Sequence, residues 1–327
     1  MSHLYRVGVL RGGPSNEYEV SLNSGAGVLR ALRENYADRY IPLDVIIDRD
    51  GLWHCEGVPT SAVHIIPRLD VAMNALHGAY GEDGTVQAVF ETHGLPFTGS
   101  GSLASSVGMN KALTKKILRD HGLKTPYSVV ISSVAIETDA RAVARNLFHT
   151  FVLPAVVKPT SSGSSVGVSI VTHYDHLPAA LKEAAKHSDS VLVEEFIKGI
   201  ESTCAVVEVF RGNELYALPP IEIRPLTKFF DYEAKYHGLS EEIVPATFGQ
   251  KLKTEIEELS RKVHSLLGLR HYSRTDFIIH PRRGIYVLEV NTLPGLTEES
   301  LLPKALRAVG SDTHEFIDHI IGLALAA

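Results

Sequence analysis

The feature that most constrains the fold is an alternation of short apolar runs and amphipathic segments near the start of the chain. Residues 5–10 form a β-rich apolar run, Gly12 and Gly13 interrupt it, and residues 17–32 carry helical apolar spacing. Further strands are predicted at 41–47 and 71–76, with a helix at 86–93. Alternating strands and helices predict a parallel sheet with crossover helices.

The pattern changes after residue 105. A helix is predicted at 105–121, ended by Gly122, and a domain boundary is placed near Asn110. The segment that follows reads as a compact α+β module, with strands at 128–131, 155–158, 166–171 and 190–195 and helices at 139–148 and 177–187.

The remainder of the chain again predicts strands and long helices. A polar and aromatic stretch at 227–240 has no clear apolar period, which makes it a candidate functional loop. The predicted elements are strands at 203–210, 218–223, 273–280 and 286–289 and helices at 252–267 and 313–325. A length of 327 residues predicts two or three domains with clefts between them.

Composition narrows the classes of partner. A formal net charge of −6 and a pI near 6.2 provide no broad basic field, so we expect a small-molecule substrate and no nucleic-acid partner. The two cysteines are too few for a disulfide scaffold and lack CxxC spacing. No apolar segment is long enough for a signal peptide or membrane span, so we expect a soluble, cytoplasmic protein.

The run SRTDFIIHPRRGIYVLEVNTLPG predicts a hairpin that carries a metal site. Asp276 lies on one strand, and Glu289 and Asn291 share a face at the end of the other. Such oxygen ligands suit Mg²⁺ or Mn²⁺ bound together with nucleotide phosphates. The alternative is a solvated sheet face carrying two ordinary acids. Arg274 and the apolar neighbours favour a buried charged cluster.

The run LPAVVKPTSSGSSVGVSIV places Lys158 at a strand end before a loop of small residues at 160–167. Backbone N–H groups and hydroxyls of such a loop can approach phosphate oxygens, but the run is not a Walker A motif, and a flexible turn is the plainer interpretation. In VLVEEFIKGIE, the acids Glu194, Glu195 and Glu201 are able to hydrogen-bond the ribose or adenine region of a nucleotide.

Two strand ends near the N-terminus carry polar residues among glycines. His77 with Glu82 and Asp83 follows one strand, and Glu17 follows another. A structural histidine and a favourable interaction with the helix dipole are the alternatives to substrate contacts.

Taken together, these runs resemble the D-alanine:D-alanine ligase family of the ATP-grasp superfamily. The resemblance extends almost end to end through GGPSNEYEVSLNSG, HGAYGEDGTVQ, LPFTGSGSLASS, KPTSSGSSVGV, EEFIKGIE, FFDYEAKY, RTDF and LEVNTLPGLTEESL, in the order of the family. It implies an α/β and α+β fold of three-domain ATP-grasp architecture with an N-terminal parallel-sheet (pre-ATP-grasp) domain. The implied domains are residues 1–110, which bind substrate, 111–201, the central ATP-grasp part, and 202–327, which carries the metal site and the mobile loop 227–240.

The resemblance also implies the reaction and the residues that perform it. ATP phosphorylates one D-alanine, a second D-alanine attacks the acyl phosphate, and the dipeptide serves peptidoglycan precursor synthesis. The implied roles are as follows: two Mg²⁺ (or Mn²⁺) on Asp276, Glu289 and Asn291; ATP on Lys111, Lys158, Lys235, Glu194, Glu195, Ile197 and Glu201; the oxyanion on Arg274 and the Gly295 N–H; the first substrate on Glu17 and His77; and the second on Ser300 and the Leu301 backbone.

Ser164 and Tyr236 match family residues that link Glu17 to the mobile loop, and closure of this loop would exclude water. Tyr236 also matches members that form a dipeptide, so an amine is the expected nucleophile. The chain departs from the family pattern at Asn110, Ser162, Phe230 and Glu299, which leaves the triphosphate loop and the acceptor pocket open.

Two alternatives stay open: an ATP-grasp ligase with a different amino or hydroxy acid as acceptor, and a nucleotide-binding regulator without turnover. A homodimer is expected from the family alone.

Overall fold

The computed structural model describes residues 3–225 and 240–326, so most of the predicted loop 227–240, with Phe230, Lys235 and Tyr236, lies outside the described residues. The first sheet runs in the order β4-β3-β2-β1-β5. Its strands are β1 (Tyr5–Gly12), β2 (Tyr40–Ile47), β3 (Trp53–Cys55), β4 (Val58–Thr60) and β5 (Val71–Asn74). Strands β1, β2 and β5 are parallel as predicted, whereas the unpredicted pair β3 and β4 adds an antiparallel edge.

Helices cover this sheet and lead out of it. They are α1 (Tyr18–Asn35), α2 (Ala62–Ile65), α3 (Thr85–Thr92), α4 (Ser102–Met109) and α5 (Lys111–Asp120). The single helix predicted at 105–121 is wrong, because Asn110 leaves the helical conformation and its side chain accepts hydrogen bonds from the N–H groups of Ala112 and Leu113. This cap ends one helix and begins the next at Lys111.

The second sheet is antiparallel, in the order β6-β9-β7-β8. It comprises β6 (Ser128–Ser132), β7 (Ala155–Pro159), β8 (Ser169–Val171) and β9 (Ser190–Glu195), packed against α6 (Ser133–Phe148) and α7 (Leu177–Ala185). Strand β8 is shorter than predicted, because Gly167 has a φ of 71° and turns the chain immediately before it.

The third sheet is also antiparallel, in the order β13-β12-β10-β14-β15, with β11 paired to β10. Its strands are β10 (Ile200–Phe210), β11 (Asn213–Ala217), β12 (Ile221–Pro225), β13 (Ser240–Ile243), β14 (Tyr272–His280) and β15 (Gly284–Asn291). The strand predicted at 218–223 overlaps only β12, which begins three residues later, and β11 was not predicted. Helices α8 (Gln250–Leu266), α9 (Leu301–Ala308) and α10 (Thr313–Leu325) complete this part, and α9 was not predicted.

One hydrophobic core is shared by the first and third sheets. Phe316 and Ile320 of α10 are fully buried and lie in the same cluster as Val7 of β1 and Tyr272 of β14. The ring of Phe316 meets that of Tyr272 edge-on, with 5.1 Å between centroids. Within the described ranges, no helix combines the length and apolar character needed to span a membrane.

We expect Phe316→Ala to lower the free energy of unfolding by about 3–5 kcal/mol, because it leaves a cavity where the first and third sheets meet. Urea denaturation followed by circular dichroism measures the loss. Leu103→Ala is the control, since the Leu103 side chain is 78% exposed and its removal should change stability by less than about 0.5 kcal/mol. Equal stabilities for the two variants would show that the shared core does not carry the fold.

Candidate active site

Two cavities adjoin between the three sheets and share part of their walls. Lys111, Ser162, Arg274, Glu289 and Leu301 line both. The first cavity is also lined by Glu17, His77, Ser164, Asn291, Gly295 and Ser300, and the second by Lys158, Glu194, Glu195, Ile197, Glu201 and Asp276. The described candidate residues therefore converge on one place, although they come from all three sheets.

The β14–β15 hairpin carries the acidic part of this wall. Asp276 pairs directly with Glu289, and Arg274 pairs with Asn291. The Arg274 guanidinium donates to both Asp276 oxygens, through Nε at 2.9 Å and a terminal nitrogen at 3.0 Å. Burial opposes the charge on Arg274, but Asp276 first, and then Glu289, hold its pKa above the usual value. Arg274 is thus a fixed buried cation.

Asp276 also accepts a hydrogen bond of 2.6 Å from the Thr203 hydroxyl of β10. A carboxylate has about four lone-pair sites, and Arg274 and Thr203 account for three of them. A site therefore remains on Asp276 for a cation beside Glu289. The side-chain oxygen of Asn291, Oδ1, accepts a hydrogen bond from the Leu293 N–H, and this bond orients the side-chain amide. Two carboxylates and an amide suit a hard divalent cation, although no group of three or more His, Cys, Asp or Glu among the described residues forms a ready-made metal cluster.

Three buried charges form a chain at the second cavity, with Lys158 and Glu194 on its wall and Lys115 behind them. Glu194 places one oxygen 2.9 Å from the Lys115 ammonium and the other 2.9 Å from that of Lys158. Burial raises the pKa of Glu194, but the two lysines outweigh it and the net direction is down. Burial lowers the pKa of Lys115 to about 8, whereas the pKa of Lys158 is raised because Glu194 and Glu289 outweigh its burial.

Sequence reasoning missed Lys115. Its signal was the spacing of four residues from Lys111 on one helix, which places both side chains on the same face. The next acid, Glu195, lies farther out and pairs with Arg283 at 2.9 Å, and it also accepts from the Tyr127 N–H. Ile197 is buried beside them and supplies an apolar surface to the same cavity.

The loop of small residues after β7 joins the two cavities. The Lys111 ammonium donates to the Ser162 carbonyl at 2.7 Å and lies 3.5 Å from Glu289. The Ser164 hydroxyl donates to the Glu17 carboxylate, and Ser164 has a φ of 48°. A Cβ at Gly163 would lie 2.6 Å from a Glu17 oxygen, so the loop backbone approaches the Glu17 carboxylate closely and a side chain here would displace it.

His77 is buried on the side of the first cavity formed by the first sheet. Its Nε2 lies 2.9 Å from the Ser24 hydroxyl, and its Nδ1 is 3.8 Å from Glu82. Glu82, which received no role from the sequence, accepts from the Gly78 N–H at 2.9 Å. These contacts fix the imidazole while leaving it on the cavity wall.

The opposite end of the first cavity is formed by the start of α9. A Cβ at Gly295 would lie 2.7 Å from the Ser300 hydroxyl, so the Gly295 backbone approaches that residue closely. Ser300 stands at the N-terminal cap position of α9, and Leu301 begins the helix. Lys304, one turn later, bridges Glu242 at 2.9 Å and Glu299 at 3.1 Å. Sequence reasoning missed both Lys304 and Glu242.

Comparison with known proteins accounts for this combination of fold and cavities. The D-ala D-ala ligase C-terminus model matches residues 117–322 and the N-terminus model matches residues 57–100. The chain is 39% identical to D-alanine–D-alanine ligase from Carboxydothermus hydrogenoformans, over 98% of both chains. It is 40% identical to the enzyme of the same name from Geobacter sulfurreducens, over 97% of this chain and 93% of the relative.

Solved structures agree with these matches. The chain is similar to the VanG D-Ala:D-Ser ligase from Enterococcus faecalis, with a TM-score of 0.85, 29% identity and coverage of 98% and 100% of the two chains. It is also similar to the Bacillus anthracis D-alanine–D-alanine ligase complexed with ATP, with a TM-score of 0.79, 32% identity and 98% coverage of both chains. The predicted ATP-grasp fold is confirmed.

We expect Glu194→Gln to destabilise the protein by about 3–5 kcal/mol, because it leaves two buried ammonium groups without their carboxylate. Glu195→Gln is the matched control, since its partner Arg283 is 45% exposed and the pair should contribute about 0–1 kcal/mol. Urea denaturation of both variants tests the difference. Equal stabilities would show that the charge chain does not contribute to the fold.

Proposed function

The chain belongs to the D-alanine–D-alanine ligase family, and we propose from this premise that it joins two D-alanine molecules with ATP, releasing ADP and phosphate. The observation that supports this assignment is the wall shared by the two cavities, where Lys111, Arg274 and Glu289 face both. Phosphoryl transfer followed by amide formation needs a nucleotide and two small zwitterions at one such junction.

The second cavity suits the nucleotide. Lys111 and Lys158 line it from different elements and would neutralise phosphate oxygens. Lys235 of the loop 227–240 is a third proposed contact. Glu194, Glu195, Ile197 and Glu201 form the proposed surface for the base and ribose. Asp276, Glu289 and Asn291 would hold two Mg²⁺ or Mn²⁺ ions. When bound, these ions neutralise charge on the phosphates and polarise the transferred group.

The first cavity suits the two amino acids. Glu17, which accepts a hydrogen bond from Ser164, would bind the ammonium of the first D-alanine, and His77 lines the same cavity. A carboxylate oxygen of this substrate attacks the γ-phosphorus, the bond to ADP breaks, and an acyl phosphate forms. This step leaves an activated carbonyl beside Arg274.

The second D-alanine would bind at the start of α9. The Ser300 hydroxyl and the Leu301 N–H would donate hydrogen bonds to its carboxylate, and the N-terminus of α9 favours negative charge there. Its ammonium first gives up a proton, and the neutral amine then attacks the acyl carbon and forms a C–N bond. As the C–O bond breaks, the departing phosphate takes a second proton from the nitrogen. Arg274 and the Gly295 N–H are the proposed donors to the oxyanion that develops between these events.

Closure of the active site belongs to the same proposal. Tyr236, in the loop 227–240, would complete a contact with Ser164 and Glu17 and exclude water from the acyl phosphate. The strands β12 and β13, which come before and after residues 226–239 in the sequence, belong to the sheet that carries Arg274 and Asp276. We retain residues 1–110, 111–201 and 202–327 as the proposed domains.

A second candidate is a ligase that accepts a polar residue such as D-serine in place of the second D-alanine. The observation that favours it is the charged group of Glu242, Lys304 and Glu299 next to Ser300, with Glu242 and Glu299 on the wall of the first cavity. A nucleotide-binding regulator is less well supported, because Arg274, Gly295 and Ser300 have no use in a protein that only binds nucleotide.

A cytoplasmic location and a homodimer are also part of the proposal. The described residues include two buried free cysteines, Cys55 and Cys204, which suit a reducing compartment. The proposed product, the dipeptide, would be used in the synthesis of peptidoglycan precursors.

We expect ATP, Mg²⁺ and D-alanine to yield a dipeptide, identified by mass, with one phosphate released for each dipeptide. Parallel assays with D-serine or D-lactate as the second substrate separate the acceptors, and L-alanine is the control. A strong preference for D-lactate would contradict an amine nucleophile. Tight ATP binding without phosphate release that depends on D-alanine would support the regulator.

We expect Glu289→Gln to depress turnover by a factor of about 10² or more, because it removes one negative charge from the proposed metal site while keeping the shape of the side chain. Mn²⁺ binding, followed by electron paramagnetic resonance, should weaken in parallel. Asp120→Asn, on the exposed face of α5, is the matched control. Near-normal activity and Mn²⁺ affinity in Glu289→Gln would show that the metal assignment is wrong.

A further inference from the structure

Lys115 is the most deeply buried charged side chain near the site and has no role in the mechanism above. Its side chain is 1% exposed and lies behind Glu194, whereas Lys158 on the other side of Glu194 faces the cavity. A lysine is almost never fully buried unless it is paired, so its position calls for an explanation.

Glu194 connects the two lysines through separate oxygens. Lys115 approaches Oε1 and Lys158 approaches Oε2, each at 2.9 Å. The Lys115 contact does not have the angle of a good hydrogen bond, so attraction between charges dominates it. The group therefore contains one carboxylate and two ammonium groups, and Glu194 stays neutralised when either lysine moves away.

Lys158 is the lysine that has a reason to move. Its ammonium lines the proposed nucleotide cavity, and binding to a phosphate requires it to share or release Glu194. Without another cation nearby, this release would leave the Glu194 carboxylate without a counterion. Because Glu194 is only 2% exposed, such an unpaired charge would be strongly unfavourable.

Building on the proposed nucleotide site, we propose that Lys115 is a positioning residue that keeps Glu194 paired while Lys158 turns its ammonium to the nucleotide phosphates. Lys115 does this from the same helix face that presents Lys111, so α5 supplies both a proposed phosphate contact and the fixed counterion behind it. The charge of Lys115 supports phosphate binding without touching the nucleotide.

The test is isothermal calorimetry of ADP binding to Lys115→Met, with Lys116→Met as the matched control. Lys116 is the neighbouring residue on α5, 66% exposed and paired with Asp120. We expect ADP to bind Lys115→Met at least about tenfold more weakly than the unaltered chain, and Lys116→Met to bind it unchanged. Adenosine, which has no phosphate, is the second ligand, and its binding to the same two variants is followed by ligand-observed NMR. We expect Lys115→Met to weaken adenosine binding much less than it weakens ADP binding.

The comparison of ADP with adenosine distinguishes the proposed role of Lys115 in phosphate binding from a purely structural role. Equal losses of ADP and adenosine affinity would show that Lys115 only shapes the cavity, and unchanged ADP affinity would show that it does not act on Lys158; either result overturns the inference. Lys115→Gln is the second variant if Lys115→Met does not fold, with the same expected split between ADP and adenosine. An unaltered chain that binds no ADP would contradict the proposed function and the inference with it.

Discussion

The pairing of β14 with β15 is the constraint on which the rest of the site depends. Arg274 and Asp276 lie on the face of β14 that also carries Tyr272, the core residue that packs against Phe316. On β10, Thr203 lies directly opposite Asp276 on the same face and donates to it. A slip of one residue would bury these charges in the opposite face, so the core that fixes the register also fixes the charged wall.

An irregularity in this pairing opens the wall to both cavities. Asp276 pairs with Glu289 but Phe277 pairs with Val287, so Leu288 is an extra residue in its strand. Such a bulge re-aims the side chains next to it. Phe277 and Leu288 then line the second cavity, while Glu289 faces both. The hairpin thereby forms part of the boundary between the first and second cavities.

Much of the fold follows from the sequence because its signals are local. Alternating apolar runs predicted β1, β2 and β5, and the pair Asp276 and Glu289 was expected at one place because a short connection joins two strands. The failures are of two kinds. Asn110 divides a stretch of helix formers by a side-chain cap, and β3, β4 and α9, with three, three and eight residues, are too short for a clear periodic signal.

Contacts between distant segments were beyond local reasoning. In the sequence, Lys115 looks like an ordinary helix lysine, but in the fold it pairs with Glu194 of β9. Lys304 likewise looks like a surface residue, but it pairs with Glu242 of β13. The contact between Ser164 and Glu17 joins residues 147 positions apart, and only the resemblance to a family predicted it. Residues of this kind are found from tertiary structure because their partners are not neighbours in sequence.

The charges of the site share one arrangement that follows from burial. Arg274 faces Asp276, Lys111 faces Glu289, and Lys158 faces Glu194, so each of these cations has an acid within 3.5 Å. Unpaired cations in such a place would destabilise the fold, since desolvation of a single charge is strongly unfavourable. A ligand that carries several negative charges must therefore exchange partners with these acids rather than simply add to an empty positive site. Divalent cations on Asp276 and Glu289 would replace the positive charge that the acids lose, which explains why a site for phosphates contains as many carboxylates as cationic side chains in these three pairs.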